Sequence, residues 1–457
     1  IMTYYLTPDN MGTYNLIIIT ASMLTSLFFL NLADGPLIFF VQEKSKERIR
    51  DMYNTVTNSS LVLFMLFSLI FSILIFYLGK EYKYLFFVLP VIFSSIFYKL
   101  TSYLFAVFQK TTELVRNTIL KDALVTILTI LLVIIGLSYY GLIYAIIIGN
   151  IVAGIHIYRL IQRELPFRIF IDRKVLVQFL KVSLPLLPVF LFSWTIQSSD
   201  SYILAYYKNK ETVGKYSIVY GLTNVILIVT YALNLFWYPV SARLWIESRE
   251  KYRKIFCLMF TAFAIILMIA VIFFELNSKI IMNLFVRNIQ YHDAYCIMGI
   301  IAFSFSMQVL ITLLTAPLYS NKNTIAIFLS YLAGSLLNTV LNFLLIPSAG
   351  LLGAATSTGI SYLVVVTCMS YLNYKIAQFP FIDRRLPYSI GGFILTWIGI
   401  VFLREYLGQY QIIFVNIPLF ITIGLFLYFC ILKKEEREYL HKRYREFNFK
   451  KVLSWGR

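Results

Sequence analysis

Three features of the 457-residue sequence predict an all-α polytopic membrane protein built from two similar halves. Hydrophobic residues make up 60% of the chain and charged residues only 14%, too little polar surface for a soluble protein of this length. Apolar stretches of roughly 20 residues recur along the chain, the length at which a helix crosses about 30 Å of hydrocarbon. The third feature is an internal echo. Residues 4 to 14 read YYLTPDNMGTY, and residues 206 to 216, 202 positions later, read YYKNKETVGKY. Each copy then runs through an apolar stretch into a charged segment, EKSKERIRD at 43 to 51 and IESREKYRK at 246 to 254. A second echo, at an offset of 209, pairs Gly141, Leu142, Ile143 and Ala145 with Gly350, Leu351, Leu352 and Ala354. Two similar halves in a hydrophobic chain point to a carrier with a central site between them.

Thirteen candidate spans follow in order: 13 to 39, 58 to 79, 84 to 108, 118 to 137, 141 to 158, 182 to 207, 214 to 240, 255 to 274, 295 to 319, 324 to 346, 351 to 374, 386 to 403 and 412 to 432. Such lengths favour helices, because a transmembrane barrel would show alternating segments of about ten residues. The second copy of the tyrosine–glycine echo follows a full span, 182 to 207, whereas the first stands almost at residue 1, which is Ile. The expectation is therefore a first span lying upstream, for fourteen in all.

Orientation follows from the basic residues, which are enriched in cytoplasmic loops. Thirty of the 40 Lys and Arg fall on one side, including nine in the tail from Lys433, and eight on the other, with Lys99 and Lys121 inside spans. The tail and the loop at 159 to 181 that joins the halves are thus expected in the cytoplasm. The net charge of +18 is dispersed over short loops and this tail, so nucleic acid is not an expected partner. The tail reads either as an amphipathic helix on the anionic inner leaflet or as a solvated segment.

Enzymatic signatures are missing from the sequence. The longest outward loop, 275 to 294, is too short for a catalytic ectodomain. Cys257, Cys296, Cys368 and Cys430 show no CxxC spacing, and His156, His292 and His441 form no metal-ligand pair. No GxSxG, Walker or dinucleotide signature occurs, so neither an ATP-driven pump nor a familiar hydrolase is supported, and no cofactor or metal is expected.

Charges inside spans are then the candidate functional groups, since an ionised group in hydrocarbon is costly unless it meets a cavity or a partner. Asp200 ends a polar run with Thr195, Gln197, Ser198 and Ser199 and reads either as lining a hydrated path or as a polar seam between helices. Asp34 precedes Gly35 and Pro36, which either free backbone groups for an ion or merely kink the helix. Lys99, mid-span, reads as a cavity cation able to meet phosphate or as a side chain snorkelling to an interface. Arg116 and Arg243 stand at cytoplasmic mouths of spans in the two halves, as diphosphate-gathering groups or as ordinary loop charges. Adjacent Lys121 and Asp122 read as a self-neutralising pair.

Three segments carry a family resemblance: YYLTPDNMGTYNLI at 4 to 17, SLPLLPVFLFSWTIQSSDSYILAYYKNKETVGKYSIVYGL at 183 to 222 with LFWYP at 235 to 239, and LNTVLNFLLIPSAGLLGAA at 337 to 355. Together they resemble bacterial polysaccharide repeat-unit flippases, relatives of multidrug extruders and lipid II flippases. The resemblance implies two pseudo-symmetric six-helix bundles around a central cavity plus two C-terminal helices. In this chain these would be an N-terminal bundle at 1 to 165 lacking its first span, a C-terminal bundle at 166 to 380, two additional helices at 381 to 432 and a basic tail at 433 to 457. It also implies transport of an undecaprenyl-diphosphate-linked oligosaccharide from the inner to the outer leaflet of the cytoplasmic membrane by alternating access. Lys99 would then serve as a cavity cation, with Asp34 or Asp200 as ion-coupling groups. The partners implied are the lipid-linked oligosaccharide, membrane lipids, a polysaccharide polymerase and glycosyltransferases. Two alternatives stay open: an ion-coupled multidrug antiporter, which would use acidic cavity groups, and a polytopic polymerase or acyltransferase.

Overall fold

A computed structural model describes residues 2–30, 32, 39–40, 43, 45–107, 111–162, 167–321, 323–377, 385–406 and 418. Asp34, nearly all of the expected span at 412 to 432 and the tail from 433 lie outside these residues. Every regular element among the described residues is helical. The first half contains α1 (Met2–Tyr5), α2 (Pro8–Phe28), α3 (Lys46–Leu78), α4 (Val88–Val107), α5 (Thr111–Ile134) and α6 (Ser138–Gln162). The second contains α7 (Arg173–Tyr207), α8 (Lys210–Thr223), α9 (Ile228–Glu247), α10 (Arg249–Leu276), α11 (Ser278–Phe285), α12 (Met298–Ser320), α13 (Thr324–Ala349) and α14 (Leu351–Ala377), followed by α15 (Arg385–Tyr406). Eleven described segments are long and apolar enough to cross a membrane, and α15 adds the shorter apolar stretch Leu386–Phe402.

Hydropathy misplaces several boundaries, for identifiable reasons. Helices α3 and α7 begin about a dozen and nine residues before their predicted spans because each starts with a capped, charged first turn that projects beyond the apolar run. Ser45 Oγ accepts from the Arg48 amide at 3.4 Å, and Asp172 Oδ1 accepts from the Lys174 amide at 2.8 Å. The span predicted at 214 to 240 is interrupted by a 3-10 turn at Asn224–Leu227, so two helices share it. The outward loop predicted at 275 to 294 is itself largely helical, holding α11 and the start of the 3-10 segment Ile289–Ile297.

The repeat is visible in the elements. Both charged segments of the sequence echo are serine-capped helix starts: Ser248 Oγ accepts from the Lys251 amide at 3.3 Å, as Ser45 does from Arg48. Glu47 and Glu250 lie in the two first turns, where a negative charge complements the helix dipole. In each half a 3-10 segment runs straight into a long helix, Lys80–Phe87 into α4 and Ile289–Ile297 into α12. The second sequence echo is not a structural equivalence. Gly350 forms the turn between α13 and α14 with φ +54°, a left-handed conformation that suits glycine, while Gly141 lies within α6 and the corresponding turn uses Gly136 at φ +97°.

Buried apolar residues form two large cores, one mostly from residues 17–179 and one mostly from 196–400. Two helices contribute to both: α2 places Leu16 in the second core and Ile17 in the first, while α7 places Phe179 in the first and Ile196 in the second. Large apolar side chains stand exposed along α3 and α5, among them Met65, Leu69, Phe76, Ile119 and Ile127. A helix facing lipid tails is built in this way.

The two copies of the tyrosine–glycine motif meet each other. Helices α2 and α8 approach so closely that a Cβ on Gly12 would lie 1.8 Å from the Lys210 carbonyl oxygen, and a Cβ on Gly214 would lie 1.8 Å from the Pro8 carbonyl oxygen. Pro8 and Lys210 are themselves 202 positions apart, so the contact maps onto itself when the repeats are exchanged. Close backbone approach through glycine is how helices associate where no hydrophobic force separates them from lipid. Further links between the halves lie at the same end. Tyr291 Oη donates to the Leu6 carbonyl at 3.1 Å, and the Lys210 ammonium stands 4.3 Å from the Tyr84 ring centre.

Candidate functional site: a polar cavity between the repeats

Beyond the glycine crossing, α2, α4, α7 and α8, with Ile146 of α6, line a cavity of about 600 Å³. Its polar wall is contributed helix by helix. Asn15, Ser22, Thr25 and Ser26 come from α2, Ser95 and Lys99 from α4, Ser193, Trp194, Gln197, Ser198 and Ser201 from α7, and Tyr216, Ser217 and Tyr220 from α8. Asn15 and Ser217 are 202 positions apart, as are Ile18 and Tyr220, so the same face of each repeat lines the cavity. Hydrogen bonds link α2 and α7 along the wall. Asn15 Nδ2 donates to Ser201 Oγ at 3.4 Å, Trp194 Nε1 donates to Ser22 Oγ at 3.2 Å, and Thr20 Oγ1 and Tyr202 Oη stand 2.5 Å apart.

Asp200 sits one turn along α7 from Gln197 and is fully buried, with its carboxylate off the cavity wall. Tyr216 Oη donates to its Oδ2 at 2.6 Å, Thr358 Oγ1 donates to the same oxygen at 3.2 Å, and the Ser201 amide donates to Oδ1 at 2.7 Å. Three donors on one carboxylate compensate for its burial. Tyr216 therefore has two roles, lining the cavity and holding Asp200 behind it. A second buried polar chain runs alongside. Ser199 Oγ donates to Asn338 Oδ1 at 3.2 Å, Asn342 Nδ2 donates to the same oxygen at 3.0 Å, and Ser357 donates to Asn342 Oδ1. The Asn338 side-chain amide nitrogen is buried without a hydrogen-bond partner, so both of its N–H donors go unused in this chain.

Of the residues singled out in the sequence, Lys99 and Gln197 face the same cavity, and Asp200 lies behind its wall. Arg116 on α5 and Arg243 on α9 are exposed and do not line it. Lys121 pairs with Asp122 at 3.1 Å and stands 4.6 Å from the Tyr98 ring centre. Sequence reasoning missed Trp194, Tyr216, Tyr220 and the Asn338–Asn342 pair. The spacing of four that puts both asparagines on one face of an otherwise apolar helix was a readable signal for the last. It also missed Glu275, buried at the end of α10, whose Oε2 accepts from Trp397 Nε1 of α15 at 2.9 Å.

An all-helical repeat pair around a cavity, with eleven described segments able to cross a bilayer, defines a multi-pass membrane protein, and comparison with known structures places the fold. The chain resembles the lipid II flippase MurJ in its inward closed conformation with a TM-score of 0.68 at 14% identity, over 93% of this chain and 95% of that one. It resembles an inward-facing multidrug resistance MATE transporter of the MOP superfamily with a TM-score of 0.61 at 14% identity, over 83% and 95%. A MOP superfamily transporter from Pyrococcus furiosus, described as having a binding pocket of reverse polarity, matches with a TM-score of 0.55 at 13% identity, over 86% and 87%. No curated protein sequence matches. The sequence itself matches the family of polysaccharide biosynthesis proteins over residues 1–245, and the chain belongs to that family.

Proposed function

We propose that this transporter is a flippase that moves an undecaprenyl-diphosphate-linked oligosaccharide repeat unit from the inner to the outer leaflet of the bacterial cytoplasmic membrane. It would serve polysaccharide biosynthesis and act as a translocase, making and breaking no covalent bond. The observation that carries the reading is the cavity itself: it lies between the repeats, is rich in hydroxyl and amide groups and holds Lys99, in a chain of the polysaccharide biosynthesis family. Hydroxyls and amides suit sugars, and an ammonium suits a diphosphate.

Charge distribution supports an orientation. With the basic loops and tail in the cytoplasm, the start of α3 lies inside and the Gly12–Gly214 crossing lies at the outer end. Transport then requires this crossing to part and the opposite end to close, with the two repeats rocking around α2, α7 and α8. Asp200, between cavity and C-terminal core, is the proposed ion-coupling group: Tyr216 would transmit its state to the cavity wall. A multidrug antiporter is less well supported, because no carboxylate lines the cavity among the described residues.

Complementation tests the function. Expression in a strain lacking its polysaccharide flippase is expected to restore surface polymer and clear accumulated lipid-linked repeat units. Drug resistance without restored polymer, from a well-expressed protein, would replace the flippase by an exporter.

A further inference from the structure

Resting on the flippase reading, we infer that the cavity selects a glycan without ionised groups, a repeat unit of neutral or N-acylated sugars rather than one bearing uronic acids. Lys99 is the one Asp, Glu, Lys, Arg or His among the described residues lining the cavity. A diphosphate carries more negative charge than one ammonium balances, so Lys99 has none to spare for a carboxylate on the sugar. Four hydroxyls of the polar wall point the same way through their hydrogen-bonding polarity. Ser22, Thr25, Ser193 and Ser217 each donate their one hydroxyl proton to a backbone carbonyl of their own helix, at 2.8, 2.6, 2.8 and 2.8 Å. They consequently present lone pairs to the cavity.

One of the two side-chain amide protons of Asn15 is likewise engaged, donating to Ser201. A wall rich in acceptors pairs with sugar hydroxyls, which donate. It suits a carboxylate poorly, because a carboxylate only accepts and these hydroxyls have no proton left to compensate its desolvation. An unacylated amino sugar fares little better, since an ammonium would enter a cavity with no described carboxylate to balance it. The Trp194 indole and the Tyr220 phenol add apolar surface against which uncharged sugar rings can lie.

The test titrates purified full-length protein in nanodiscs with three probes. The first is farnesyl diphosphate bearing a trisaccharide of glucose and N-acetylglucosamine. The second has one glucose replaced by glucuronic acid, and the third is farnesyl diphosphate alone. The neutral probe is expected to bind more tightly than farnesyl diphosphate, and the glucuronate probe at least about tenfold more weakly than the neutral one, or ~1.4 kcal/mol. Ser217→Lys, which places a second cation on the wall, is expected to narrow that gap at least threefold. Glucuronate binding as tight as neutral binding, with both above farnesyl diphosphate alone, would overturn the charge inference and leave the flippase reading standing. If neither glycan probe bound better than farnesyl diphosphate, the flippase reading would fall and this inference with it. The wild-type comparison decides the matter even if Ser217→Lys does not fold.

Discussion

The two halves of the molecule agree at their closest contact and diverge a few turns deeper. Gly12 of α2 and Gly214 of α8 make the same approach to the carbonyls of Lys210 and Pro8. Past that point the first half turns a cation toward the cavity, Lys99, whereas the second half holds its acid, Asp200, behind Tyr216. Chain length accounts for part of the difference. A lysine stem of four methylenes carries its ammonium to a polar cavity from a lipid-embedded helix, but a short aspartate must find its donors where its backbone lies. The repeat preserves the close contact, where the geometry is symmetric, and leaves the lining asymmetric, as the proposed substrate with its charged end and polar end would require.

Four expected outcomes would break or sharpen this comparison. Gly12→Leu combined with Gly214→Leu should have the largest effect: with carbonyls at 1.8 Å from any Cβ, the crossing cannot close. Transport is expected to fall about 100-fold, the shift produced by ~3 kcal/mol of overpacking. A cysteine introduced at Asn15 should become reactive to an impermeant thiol reagent from outside. If either single leucine variant retained full transport, the symmetric closure would not be needed.

Asp200→Ala comes next, since it leaves the Tyr216 and Thr358 hydroxyls without their buried acceptor. Loss of ~2–4 kcal/mol is expected, read as a lower melting point in detergent. Asp200→Asn keeps an acceptor and should recover most of that stability. Transport that stayed ion-dependent in Asp200→Asn would remove Asp200 from coupling.

Lys99→Ala is the contrasting case in the first half, with transport reduced about tenfold, an interaction of ~1.4 kcal/mol, and no change in melting point. Lys99→Arg should restore part of the rate. A melting point that dropped with transport would mean that Lys99 supports the fold rather than the substrate. Arg116→Ala and Arg243→Ala should change transport by less than about twofold, because both side chains are exposed away from the cavity. A larger loss in uptake at low substrate concentration would return them to the site as gathering charges.

Composition and span length by themselves determined that the chain is a bundle of membrane helices, because a backbone in hydrocarbon must satisfy its own hydrogen bonds and about 20 apolar residues suffice to cross. The echo of YYLTPDNMGTY in YYKNKETVGKY likewise announced two halves and named the pair of glycines. Only the tertiary structure decided that Gly12 and Gly214 touch, that Lys99 and Gln197 share a cavity, that Asp200 lies behind Tyr216, and that Arg116 and Arg243 stand apart. The reason is physical. In a soluble helix the solvent face is polar and the buried face apolar, so the pattern betrays the orientation. In a membrane helix the lipid face and the packed face are both apolar, and which side meets a partner, a cavity or a lipid is settled when the helices come together.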